Sequence, residues 1–154
     1  MNPLLAFFLP LLTLASVPAA ASDEDAALGR MRDWVKDRKW DELMAQFKNE
    51  DFAAWAEPSK TAEAASLRAK AYVAVKNSAQ AEKDLKLAVE RSPKSGEVWH
   101  ELGALYSGLL PDEALALEAY GKAFASAGKS FGWLPISATI NEATVLLKQG
   151  KAEA

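Results

Sequence analysis

Apolar residues recur at helical spacing along most of this chain. The clearest stretch is "WHELGALY", residues 99–106, where Trp99, Leu102, Gly103 and Tyr106 occupy i, i+3, i+4 and i+7 on one stripe of a helix. Comparable periodicity runs from about Asp25 to the end, punctuated by Pro58, Asn77, Pro93, Pro111 and the stretch "GKSFGWLP". These breakers leave segments of about 12 to 17 residues, a length suited to helices joined by short turns. The sequence is rich in alanine, poor in β-branched runs and carries its charges at the polar positions, so the pattern predicts an all-α fold.

The first 21 residues follow a different pattern. "LLAFFLPLLTLASV", Leu4 to Val17, is apolar apart from Thr13 and Ser16, and Ala19 and Ala21 form an A-x-A signal before Ser22. This is the form of a secretory signal peptide, which predicts export after cleavage. No Lys or Arg precedes the apolar run, so its positive end is the amino terminus alone. The alternative is an uncleaved membrane anchor over residues 4–21, marginal in length for a span and interrupted by Pro10 and Pro18.

Composition narrows the function further. A chain of 154 residues has room for one domain and one modest core. With 18 basic and 21 acidic residues, its net charge of −3 is mild and mixed, whereas a nucleic-acid binder normally carries a basic stripe. The absence of cysteine excludes disulfides, thiolate metal sites, cysteine nucleophiles and a lipobox. His100 is the single histidine, so a histidine-based metal site would depend on distant carboxylates. No Gly-rich phosphate loop, H-E-x-x-H or G-x-S-x-G string is present. "SDEDAA", Ser22 to Ala27, reads as a helix start, with Ser22 or Asp23 capping and the acids favoured by the helix dipole, in preference to an ion site. No catalytic residue, cofactor or metal is expected.

The chain also repeats itself. Tyr72 and Tyr106 stand 34 residues apart, as do Ala69 and Gly103. Ala81, Leu85, Ala88 and Pro93 follow the first tyrosine, and Ala116, Tyr120 and Ala123 follow the second with one residue inserted at "SGLLPDE". Small residues at 103 and 116 let two helices approach closely, Tyr106 and Tyr120 fill the volume around that contact, and Pro93 stops a helix. Trp99, Leu102, Gly103, Tyr106, Ala116, Tyr120 and Ala123 together resemble the tetratricopeptide repeat family. The preceding unit matches at Ala69, Tyr72, Ala81, Leu85, Ala88 and Pro93, with Ala65 and Arg68 where the pattern has Trp and Leu. A degenerate first unit has Trp34 at the tyrosine position, Leu43 and Phe47 in its second helix, and about four extra residues before the next unit.

The resemblance implies a short right-handed α-solenoid of antiparallel helix pairs, with units over about 24–58, 62–93 and 96–128. A terminal helix over about 135–150, with Ile136, Ile140, Ala143 and Leu147 on one face, reads as a cap, or as an oligomer contact. The resemblance also implies a concave groove that binds a protein or peptide partner. Carried onto this chain, its lining is Arg32 and Lys36 from the first unit, Ser66, Lys70 and Val73 from the second, and His100, Ala104 and Ser107 from the third. Arg32, Lys36 and Lys70 would make the groove mildly basic and suited to an acidic segment, unless they are ordinary solvated charges. No asparagine stands among these positions, so the family's Lys/Asn/Arg clamp for a terminal carboxylate is not supported. Phe131 and Trp133 flank Gly132 in a predicted loop, either tucked under the terminal helix or left as anchors for a partner.

The expected function is therefore a non-catalytic adaptor that offers a preformed groove outside the cytoplasm. One alternative keeps the N-terminal anchor and tethers a bacterial tubulin-like polymer to the membrane, in the manner of the bacterial kinesin light chain group that the chain is similar to in size and layout. Another is an accessory subunit of an enzyme complex.

Overall fold

A computed structural model describes residues 20–127, 141 and 144–146. The predicted signal segment up to residue 19, Phe131, Trp133 and most of the predicted terminal helix lie outside the described residues. Among them the structure is all-helical: α1 (Ala20–Lys36), α2 (Trp40–Phe47), a 3-10 turn (Phe52–Ala54), α3 (Pro58–Ala74), α4 (Ser78–Arg91), α5 (Gly96–Ser107) and α6 (Glu113–Ala127). Helices adjacent in sequence pack as pairs, α1 with α2, α3 with α4 and α5 with α6, and α1·α3 and α4·α5 contacts join one pair to the next. Connections this short make the partners antiparallel, and the stack is a short helical solenoid.

Local chemistry sets the boundaries. Pro58 breaks the preceding chain and also opens α3, because a first-turn position needs no backbone donor. Asn77 caps α4 by accepting from the Gln80 amide, Ser95 caps α5 by accepting from Val98, and Asp112 caps α6 by accepting from Leu115. α1 and α3 end in left-handed residues, Arg38 (φ 57) and Lys76 (φ 59). Behind each, a wrapped hydrogen bond closes the helix: Lys39 N to Trp34 O at 2.7 Å, and Asn77 N to Tyr72 O at 2.8 Å.

The core follows the stripes. Leu28, Met31, Leu43 and Phe47 fill the first pair, Leu85, Ala81 and Tyr72 the second, and Leu102, Tyr106, Ala116 and Tyr120 the third. Gly103 earns its place by close approach. A Cβ there would lie 2.6 Å from ring atoms Cδ1 and Cε1 of Tyr120, itself 1% exposed. Trp99 bridges out of its stripe, donating from Nε1 to the Pro93 carbonyl at 2.8 Å. Val145 is 2% exposed and belongs to the same apolar cluster, so part of the C-terminal region seals the third pair.

The second pair departs from its repeat pattern at Arg68. This side chain is 8% exposed, and its fork donates to both oxygens of Asp84, Nε to Oδ2 at 2.7 Å and Nη2 to Oδ1 at 2.8 Å. Nη1 donates to the carbonyls of Phe47 (2.8 Å) and Glu50 (2.7 Å), and the guanidinium carbon lies 4.2 Å from the centre of the Phe52 ring. The extra residues before α3 thus form the 3-10 turn, with Asp51 accepting from Ala53 N and Thr61 donating to Phe52 O. Arg68 thus adds a second donor to the Phe47 carbonyl, which also accepts from Glu50 N at 3.2 Å, and supplies one to the Glu50 carbonyl just beyond α2.

Two substitutions test this packing. Gly103→Ala forces the Tyr120 ring to move and is expected to destabilise by about 1–3 kcal/mol. Asp84→Ala strands the buried guanidinium and is expected to cost about 3–5 kcal/mol. Urea denaturation measures both, and a change under about 0.5 kcal/mol in either contradicts the packing described.

Candidate functional site

Helices α1, α3 and α5 present one face in succession, and their polar side chains join across it. Arg32 of α1 grips Glu63 of α3 with two prongs, the Nη2 to Oε2 bond being 2.7 Å. Lys60 of α3 reaches back to Asp25 at 2.9 Å. From α3 to α5, Lys70 Nζ lies 2.9 Å from Glu101 Oε1, and Ser66 Oγ donates to Glu101 Oε2 at 2.6 Å. Hydrogen bonding to Glu63 raises the pKa of Arg32 further, and bonding to Asp25 does the same for Lys60. Exposed ion pairs of this kind are screened by solvent, so they orient side chains more than they stabilise the stack.

The Lys70–Glu101 pair divides the space between α3 and α5. On one side lies an apolar cavity of about 260 Å³, with Ala69, Val73, Leu85, Ala104, Leu105 and Leu109 in its wall. Val73 is 40% and Leu109 38% exposed there. On the other side lies a polar cavity of about 320 Å³, walled in part by Ser59, Glu63, Ser66, Ser95 and Glu97. Lys70 and Glu101 line both cavities, so the two are halves of one groove.

The residues expected to line a groove fall into three groups. Ser66, Lys70 and Val73 come together around the divided groove between α3 and α5. Arg32 lies next to it through Glu63, and Lys36 is exposed at the end of α1. His100 and Ser107 instead meet internal partners. Ser107 Oγ donates to the Ala104 carbonyl at 3.1 Å and lies 3.0 Å from the Tyr120 hydroxyl. The His100 ring stacks at a tilt 5.6 Å from Tyr120, and its Nε2 lies 3.0 Å from Asn141 Nδ2. The amide, so oriented, donates to an unprotonated Nε2.

Of the three residues expected to make this face mildly basic, Arg32 and Lys70 have acidic partners. Glu63 and Glu101 occupy the same face and neutralise Arg32 and Lys70, so charge alone does not favour an acidic segment here. A signal for these partners was present in the spacing. Arg32–Glu63 spans 31 positions and Ser66–Glu101 spans 35, which is the 34-residue repeat displaced by about one helical turn or one residue. Among the described residues no three potential metal-ligating side chains gather.

No protein-family model and no curated protein matches the chain. The class is accordingly defined by its architecture, a solenoid of helix pairs with a divided groove between α3 and α5.

Burial lowers the pKa of His100 below its ordinary 6.5, with the charge of Glu101 opposing the shift. The unfolded chain then binds a proton more readily than the folded one in mildly acidic solution. The contribution is fully present above about pH 6.5 and is lost as pH falls through the lower folded-state value. Urea denaturation of the wild type is expected to show declining stability from about pH 7.5 to 5.5, with a shallower decline in His100→Gln. Equal slopes in the two proteins contradict the assignment.

Proposed function

We propose that this protein is a non-catalytic adaptor of the tetratricopeptide repeat kind, which holds an extended segment of a partner protein in the groove between α3 and α5. The observation that carries this reading is the two-part groove on either side of Lys70–Glu101. An aliphatic side chain fits the apolar half, and the adjoining backbone finds hydroxyl and carboxylate partners in the polar half. Discrimination then comes from burying that apolar anchor, which gives more free energy than rim charges already paired. The N-terminal pattern supports export, with the mature chain beginning at Ser22.

A photo-crosslinking residue placed at Val73 in the native host tests the groove. It is expected to capture a discrete partner, to lose it when Leu109→Asp is added, and to capture nothing comparable from Glu90 on α4. Equal capture from both positions, or capture indifferent to Leu109→Asp, contradicts the reading. The intact mass of the same purified protein tests export: a chain starting near Ser22 supports it, and a retained Met1 contradicts it.

A further inference from the structure

The charges in the α3–α5 groove do not cancel. The wall of the polar half holds three carboxylates, Glu63, Glu97 and Glu101, against a single cation, Lys70. The apolar half shares Lys70 and Glu101 and adds no other charged side chain. Carboxylates are therefore in excess over the groove as a whole, the reverse of the basic lining expected from Arg32, Lys36 and Lys70.

The three carboxylates differ in what they meet. Both oxygens of Glu63 are taken by the Arg32 fork, and those of Glu101 by Lys70 and Ser66. Glu97 is exposed in the first turn of α5 and forms no ion pair among the described residues, not even with Lys94 three positions before it. Unpaired acids are common on exposed helices, and this one differs from them by its place. It is the charged side chain of the groove wall that has no opposite charge at hand.

That imbalance sets the sign of a partner. An acidic side chain entering the polar half meets the field of Glu97 and finds Lys70 and Arg32 already engaged. A lysine or arginine meets a free carboxylate instead. Leu67 and Val98 in the same wall offer apolar surface to the stem of such a side chain, while its head stays in water beside Glu97.

Helix α5 also sets a spacing. Glu97 lines the polar half and Leu105, two turns further along the same helix, lines the apolar half. At about 1.5 Å per residue the two lie about 12 Å apart along the axis. An extended chain, at about 3.3 Å per residue, covers that distance in about four residues.

We propose that the segment held in the groove is basic, with an aliphatic anchor in the apolar half and a lysine or arginine about four residues away on Glu97. This rests on the adaptor reading and specifies the chemistry of its partner.

NMR titrations of the full chain at fixed ionic strength test it. The probes are acetylated, amidated Gly/Ser peptides carrying one leucine and, four residues from it in either order, one lysine, glutamate or glutamine. Saturable shifts in the amides of 73, 97, 101 and 109 are expected with the lysine peptide, and about fivefold weaker binding with the glutamate peptide. Glu97→Lys is expected to reverse that order. Glu90→Lys, an equal change of charge on an exposed position of α4, is expected to leave the lysine preference within about twofold. Equal affinity for the lysine and glutamate peptides, or a lysine preference that persists in Glu97→Lys, overturns the proposal. If all the peptides bind alike and Leu109→Asp abolishes that binding, the charge assignment falls and the adaptor groove stands. Saturable shifts from none of them overturn both.

Discussion

The guanidinium of Arg68 is the constraint on which the rest of this structure depends. It draws four pieces of chain together: the end of α2, the turn before α3, α3 itself and Asp84 on α4. Four of the five guanidinium donors are engaged, and the Phe52 ring covers one face. An aliphatic residue would pack there with less desolvation cost, but it would leave the Glu50 carbonyl without this donor and the Phe47 carbonyl with the Glu50 amide alone. Arginine suits the position because its planar fork meets a carboxylate on one edge and carbonyls on another, which lysine does not. The short, eight-residue α2 is thereby fixed to a pair that is otherwise complete without it.

Fixing the first pair positions both the groove and a second, polar cavity where α2 and the 3-10 turn meet α3 and α4. In the groove, α3 lends Ser66, Lys70 and Val73, and their register against α5 is held by Glu101. In the second cavity, the wall is the Arg68 network itself, with Tyr72 one helical turn beyond it. The same helix thus faces a divided groove on one side and a polar cavity on the other. Neither space requires a moving part, which agrees with the preorganisation that lowers the entropy cost of binding.

The sequence pattern revealed the pairs wherever packing alone decided them. The close approach at Gly103, which Tyr120 fills, and the breaks at Asn77 and Pro93 follow from local rules and repeat spacing. What it did not reveal were partners from other elements. Arg68 stood where an aliphatic residue was expected, and nothing local announces that its donors meet carbonyls 18 and 21 positions earlier. Glu63 and Glu101 were missed because a groove read one helix at a time shows its basic residues but not the acids facing them from the next. His100 was placed on the groove face by the repeat pattern, but helix register says nothing of Asn141, which lies 41 positions away and meets its ring. That histidine belongs to the seam between α5 and the C-terminal region, with Val145 buried nearby in the same core.

Native-state hydrogen exchange tests most directly whether Arg68 makes the first two pairs one body. If it does, the slowest amides of α2 and of α3 exchange with the same free energy of opening, and both respond in parallel to urea. An α2 that opens several kcal/mol more easily than α3, with no dependence on urea, would contradict the account.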